Sequence, residues 1–116
     1  MQNRIDARQV APELMEEMLS LEQRVEEAGL EPGLRNLVKI RASQINGCAY
    51  CVHMHTREAR KDGESEERLY LLSAWRESPL YSERERAALA WTEAVTKIAE
   101  TGAPDADYET LRMHFT

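Results

Sequence analysis

Two cysteines and a histidine are the side chains best suited to chemistry in this chain of 116 residues. Cys48 and Cys51 are three residues apart, and His55 follows four residues after Cys51. On a helix, residues three and four apart lie on one face, so these side chains form a line, whereas His53 points elsewhere. Two thiols one turn apart can close a disulfide, and a ring nitrogen one turn further can accept a thiol proton. The spacing predicts a dithiol redox centre with its own base.

The surroundings of the cysteines favour the thiolate, which is the reactive form of the side chain. Asn46-Gly47 is expected to end one helix so that Cys48 starts the next, and the free N–H groups at a helix start favour an anion. The stretch from residue 37 to 61 carries five basic side chains and one acidic one, although the whole chain has a net charge of −6. Both features should lower a thiol pKa below its free value of about 8.5.

The CxxC spacing by itself leaves three interpretations open: a redox pair, half of a metal site, or two unrelated buried thiols. Structural zinc usually needs four protein ligands, and only three candidates lie in the line described above. His53, His114 or a second subunit would have to supply the fourth. A haem-attachment site requires His directly after the second cysteine, where Val52 stands, and no βαβ pattern precedes the pair as in a thioredoxin-like fold.

Length and composition fit one domain over residues 1–116, because typical domains run to roughly 100–150 residues. Apolar residues make up 42% and charged residues 31%, a balance typical of a chain that folds around one core. The net charge of −6 disfavours nucleic-acid partners. The longest apolar runs are only a few residues, so no membrane span or leader is indicated. We therefore expect a cytoplasmic protein without nucleic-acid or membrane partners.

Proline, glycine and capping residues divide the chain into helix-length segments, and no stretch alternates as a half-buried strand would. The predicted segments are about 12–28, Pro32 to Asn46-Gly47, Cys48 to Lys61, Ser65 to Ser78-Pro79, and Ser82–Ile98. An all-α domain of about five to six helices follows. Large side chains assigned to the core or to contacts between subunits include Met15, Met18, Trp75 and Trp91.

The stretch from Leu37 to Cys51, continued by Met54-His55-Thr56-Arg57-Glu58-Ala59, closely resembles the core signature of AhpD-like alkylhydroperoxidases in the carboxymuconolactone decarboxylase family. The resemblance is densest over residues 34–60 and extends more weakly over most of the chain. It implies an all-helical fold and a homo-oligomer, either a trimer or a hexamer. It also implies that the last C-terminal helix of the relatives is missing after Thr116.

The resemblance further implies a role for each site residue. Cys51 is expected to attack the peroxide and become a sulfenic acid, and Cys48 to resolve it to a disulfide. His55 is expected to help remove the thiol proton. The positive end of the helix dipole instead favours Cys48 as the more acidic thiol, and we follow the family assignment. The expected substrate is a small organic hydroperoxide or hydrogen peroxide, and an external dithiol restores the pair, with no cofactor and no metal.

Two positions depart from the family pattern. The family relay usually includes a glutamate twelve residues before the first motif cysteine, where this chain has Asn36, whose amide can hydrogen-bond but cannot carry a proton. Many relatives have an acidic residue where this chain has His53. Either change is compatible with weaker peroxidase activity, with another acid such as Glu13 or Glu17, or with dithiol exchange without a peroxide.

Four alternatives to peroxide reduction therefore stay open. The chain could be a CxxC disulfide oxidoreductase, or a zinc-binding or non-catalytic member of the family. It could also belong to the branch that decarboxylates a lactone without thiol chemistry, although the intact CxxC argues against that branch.

Overall fold

The computed structural model describes residues 3–116, and these residues form helices joined by turns, with no strand. The predicted all-α fold is confirmed. The helical segments are α1 (Ala7–Val10), α2 (Pro12–Glu26), α3 (Pro32–Asn46), α4 (Ala49–Lys61), α5 (Glu66–Tyr70), a 3-10 helix (Leu72–Glu77), α6 (Glu83–Thr96), α7 (Ile98–Thr101) and α8 (Asp105–Arg112). Five of the segments in this described part have eight or more residues. None of the described helices is both long and apolar enough to span a bilayer.

The four long helices begin and end within two residues of their predicted bounds. Two differences have local causes. The segment capped by Ser65 divides into α5 and the 3-10 helix, where Ala74 has non-helical dihedral angles of φ −120° and ψ 29°. Helix α8 was not predicted, and its first turn carries Asp105 and Asp107, whose charges suit the positive end of a helix.

The chain divides into two compact units, one ending at Leu30 and the other starting at Glu31. The first unit contains α1 and α2. Asp6 caps α1 by accepting a hydrogen bond from the Arg8 N–H, and Pro12 opens α2. Met18 on α2 is 66% exposed, so its predicted burial in the core is wrong, and only a contact between subunits stays a prediction for it.

In the second unit, α3 packs against α4 and α6, and α8 packs on α6. A hydrogen bond from Asn36 near the start of α3 to Asp62 at the end of α4 shows that these two helices run antiparallel. Trp75 is buried as predicted, and Trp91 lies against Tyr108 with ring centroids 5.6 Å apart. The buried cluster at the centre of this unit consists of Leu37, Ile40, Ala59, Leu72, Trp75, Tyr81 and Leu89.

A half-buried carboxylate holds α3, α6 and the 3-10 helix together. Glu93 on α6 accepts hydrogen bonds from Arg41 Nε at 2.8 Å and from Trp75 Nε1 at 3.1 Å. Arg76 binds the other oxygen of the same carboxylate at 3.0 Å. Burial would raise the pKa of Glu93, but these hydrogen bonds outweigh burial and lower the pKa below its usual value. The carboxylate is therefore charged near neutral pH and ties α6 to α3 and to the 3-10 helix.

The turn between α3 and α4 decides where the cysteines lie. Gly47 ends α3 in the left-handed conformation with φ 69°, which costs a glycine little. The N–H groups of Gly47 and Cys48 donate to the carbonyl oxygens of Gln44 and Ser43 at 3.2 and 3.1 Å. These bonds complete α3 and turn the chain so that the next helix starts immediately after Cys48.

Candidate dithiol site

Cys48 and Cys51 are joined by a disulfide, and their Cα atoms are 5.3 Å apart. This separation is inside the range in which two cysteines can be bridged without moving the backbone. The bond closes the first turn of α4, as the three-residue spacing predicted.

Cys48 is the residue that caps the start of α4. Its backbone is extended, with φ −86° and ψ 99°, and its Sγ accepts a hydrogen bond from the Cys51 N–H at 3.2 Å. The sulfur therefore stands where a serine or threonine oxygen usually caps a helix. The first N–H groups of a helix have no partner inside it, and their partial positive charge favours an anion at this place. The prediction that Cys48 starts a helix is confirmed.

His55 follows Cys51 by one turn of α4, and its side chain is 13% exposed. Its Nδ1 lies 3.3 Å from Glu58 Oε2, and the Glu58 side chain is 52% exposed. Cys51, His55 and Glu58 thus occupy consecutive turns of one face of α4. Sequence reasoning selected the cysteine and the histidine but missed the glutamate, although its three-residue spacing from His55 was a usable signal.

Asn36, at the position of the family's relay glutamate, is turned toward the other end of α4. It is 6% exposed, and its Nδ2 donates to Asp62 Oδ2 at 2.8 Å. Asp62 caps the C-terminus of α4, about 10 Å beyond His55 at 1.5 Å of rise per residue. Of the two alternative acids, Glu13 and Glu17 both belong to the first unit. The acid beside His55 in the second unit is Glu58.

The zinc alternative needs a cluster of ligands. Within residues 3–116, no group of three or more His, Cys, Asp and Glu side chains is arranged to hold a metal ion. His53 is exposed on another face of α4, and His114 lies beyond the end of α8. The described chain therefore offers no ligand set for that alternative.

A groove of about 530 Å³ runs along the exposed face of α4 beside the dithiol line, and this volume is typical of small-molecule sites. Arg57 and Lys61 give the groove a positive charge that Glu58 only partly offsets. Glu58 belongs to both features, since it lines the groove and contacts His55. The residues around the groove are Tyr50, His53, Met54, Arg57, Glu58 and Lys61.

A comparison with protein families agrees with this geometry. The model of the carboxymuconolactone decarboxylase family matches residues 12–94, which is most of the chain and includes α3, α4 and the dithiol turn. The chain belongs to the carboxymuconolactone decarboxylase family. The resemblance seen in the sequence is thereby confirmed.

Two curated relatives of this AhpD-like protein are themselves uncharacterized. YdfG of Bacillus subtilis (strain 168) is 43% identical over 115 residues, which cover 99% of this chain and 78% of YdfG. YnjA of Escherichia coli (strain K12) is 35% identical over 86 residues, which cover 74% of this chain and 47% of YnjA.

A solved structure supports the fold and the subgroup. The crystal structure of ATU0492 from Agrobacterium tumefaciens matches with a TM-score of 0.95 and 54% sequence identity, over 99% of this chain and 79% of that one. That protein of unknown function is described as a candidate antioxidant defence protein AhpD. The AhpD-like helical fold is therefore shown for this chain.

Proposed function

We propose that this AhpD-like protein reduces hydroperoxides through Cys48 and Cys51 and so serves in antioxidant defence. The observation that carries the proposal is the disulfide at the start of α4, with His55 one turn beyond Cys51 on the same helix. The similarity to ATU0492, a candidate antioxidant defence protein, supports it. The substrate is a small organic hydroperoxide or hydrogen peroxide, and the electron donor is an external dithiol.

In the first step, Cys51 is the nucleophile because it lies one turn from His55, whereas Cys48 lies nearly two turns away. His55 accepts the thiol proton, and the thiolate attacks the terminal oxygen of the hydroperoxide. The O–O bond breaks, its electron pair leaves with the alkoxide, and the proton held on His55 converts the alkoxide to an alcohol. Cys51 is left as a sulfenic acid.

In the second step, the Cys48 thiol gives up its proton and its sulfur attacks the sulfur of the sulfenic acid. The S–S bond forms as the S–O bond breaks, and the oxygen takes up that proton and leaves as water. The cap geometry supports this step, because a Cys48 thiolate is stabilised by the free N–H groups at the start of α4. The product is the disulfide seen in the structure. Two exchanges with an external dithiol then return both thiols and oxidise the donor.

The test is a thiol count with intact mass on the reduced protein, before and after one equivalent of a small alkyl hydroperoxide. The expected result is the loss of both thiols and of two hydrogens. Cys48→Ser should stop at the sulfenic acid, which adds one oxygen, whereas Cys51→Ser should not react. A reduced wild-type protein that keeps both thiols, or a Cys51→Ser variant that consumes the peroxide normally, contradicts the proposal.

One observation favours a second candidate, a disulfide oxidoreductase that does not use peroxide. Asn36 cannot act as the family's relay acid, and its amide is engaged by Asp62. Such a protein would be oxidised rapidly by a small disulfide but left reduced by the hydroperoxide in the same assay. Lactone turnover by a Cys48→Ser, Cys51→Ser double variant would instead identify the decarboxylase branch.

Three further properties belong to this proposal. We place the protein in the cytoplasm, where the pair would be kept reduced between turnovers. The family resemblance suggests a trimer or a hexamer, which light scattering on the purified protein would measure. A single domain over residues 1–116 stays a prediction.

A further inference from the structure

We propose that Glu58 is the positioning residue of the dithiol site and takes the place of the absent relay glutamate. The inference rests on the proposed function, in which His55 accepts the Cys51 proton. Glu58 does not touch the reacting sulfur in this scheme, because it acts through His55. Two hydrogen bonds, one made by Glu58 and one by Asn36, distinguish the roles open to these residues.

The first hydrogen bond joins His55 to a carboxylate. His55 Nδ1 lies 3.3 Å from Glu58 Oε2. When Nδ1 carries the proton and donates it to the carboxylate, Nε2 has a free lone pair and is the nitrogen that can accept a proton. Glu58 therefore selects the tautomer of His55 that a thiol base requires.

The second hydrogen bond takes Asn36 out of the relay. Its Nδ2 donates to Asp62 at 2.8 Å, at the far end of α4 from the cysteines. An amide at this position can neither carry a proton nor supply a negative charge beside an imidazolium ion. When His55 takes the proton from Cys51, its ring becomes positively charged, and the carboxylate of Glu58 supplies a negative charge beside it.

The arrangement is also local. Cys51, His55 and Glu58 follow one another at four- and three-residue spacing on α4, so one helix fixes all three. The His55 side chain is half-buried, with 13% of its surface exposed, while Glu58 is 52% exposed and reaches water. Arg57, Lys61 and the titratable side chain of His53 line the groove with Glu58. Water around Glu58 limits the size of its effect.

The experiment measures how fast hydroperoxide removes the two thiols from the reduced protein, in single turnover and as a function of pH. Glu58→Gln keeps a hydrogen-bond acceptor of the same shape and removes the charge. We expect the rate near pH 7 to fall about threefold to fivefold, because the imidazolium ion that forms on His55 loses the negative charge beside it, a charge that solvent partly screens. Glu109→Gln, an exposed glutamate on α8, removes the same charge elsewhere and should leave the profile unchanged.

Two further variants distinguish an effect of Glu58 that acts through His55 from a general effect of the substitution on the fold. In a His55→Ala background, Glu58→Gln should cause no further loss of rate, because the residue it acts through is gone. Glu58→Asp keeps the charge and should restore part of the rate. A Glu58→Gln profile identical to wild type, or an undiminished effect in the His55→Ala background, overturns the inference. A wild-type protein that does not react with hydroperoxide overturns the proposed function instead, so the two failures are distinguishable.

Discussion

Replacing Asn36 by glutamate, the residue usual at this relay position in the family, should destabilise the protein. Asn36 is 6% exposed, and its Nδ2 donates to Asp62 Oδ2 at 2.8 Å. In Asn36→Glu this donor becomes a second carboxylate, so a hydrogen bond to a charged group is lost, which costs about 1.5–3 kcal/mol. Two carboxylates about 4 Å apart also repel each other by up to about 4 kcal/mol at an effective dielectric constant near 20.

Asp62 lies at the surface, so it can turn toward water and avoid most of that repulsion. We therefore expect the free energy of unfolding to fall by about 2–3 kcal/mol at pH 7, which lowers Tm by about 8–12 °C. Crowding raises the folded-state pKa of one carboxyl in the new pair. A raised folded-state pKa means that the loss is greatest at pH 7 and shrinks as the pH falls toward about 4, where that carboxyl binds a proton.

The assay is thermal unfolding followed by circular dichroism at several pH values from 7 to 4. The matched control is the double variant Asn36→Glu, Asp62→Asn, which restores one amide and one carboxylate with their positions exchanged. It should recover most of the lost stability. An Asn36→Glu variant as stable as wild type at pH 7 would refute the pairing of Asn36 with Asp62, and with it the reason for looking beyond the family relay.

Three more predictions concern the fold and the groove. Because the pKa of Glu93 is lowered in the folded protein, the carboxylate stabilises the fold above pH 4.5, its ordinary pKa, and this stabilisation is lost as the pH falls below 4.5. Glu93→Gln should therefore flatten the decline of Tm between pH 5 and 3. Gly47→Ala forces an alanine to φ 69° and should cost about 1–2 kcal/mol in urea unfolding, whereas Gly33→Ala, inside α3 with open space around it, should not destabilise. The double variant Arg57→Gln, Lys61→Gln should reduce a hydroperoxide that carries a carboxylate more slowly at low salt than wild type does. Its rate with the methyl ester of the same hydroperoxide should equal that of wild type. The first prediction is contradicted if Glu93→Gln leaves the decline of Tm with pH unchanged, and the second if Gly47→Ala is as stable as wild type. The third is contradicted if the double variant loses as much rate with the ester as with the acid.

The parts of the fold that the sequence predicted well are those controlled by residues close together in the chain. Pro12 and Pro32 open helices because their ring suits the first turn, and Gly47 ends one because it accepts a positive φ. Ser82 caps α6 with the reciprocal capping box that its spacing from Glu85 predicted. Each signal acts over a few residues, and the four long helices begin and end within two residues of their predicted bounds.

Two of the features that were missed depend on contacts between residues that are distant in the sequence. Nothing near Asn36 in the sequence indicates that its partner is Asp62, 26 residues later, because that contact exists only once α3 and α4 are packed together. The exposure of Met18 depends in the same way on what α2 packs against. The line of Cys48, Cys51 and His55 could be predicted because these residues follow one another at three- and four-residue spacing at the start of one helix. Glu58 could have been predicted from the same spacing.

The capping sulfur of Cys48 makes the first turn of α4 a segment whose local unfolding depends on the redox state. With the disulfide closed, the cap and the third residue of the helix are covalently tied, so the turn cannot fray without stretching that link. Reduction removes this link, and of the two contacts between these residues we expect the hydrogen bond from the Cys51 N–H to the Cys48 sulfur to remain. The amide hydrogens of residues 49–51 should accordingly exchange with solvent faster in the reduced protein, which makes hydrogen exchange at this turn a direct readout of the dithiol.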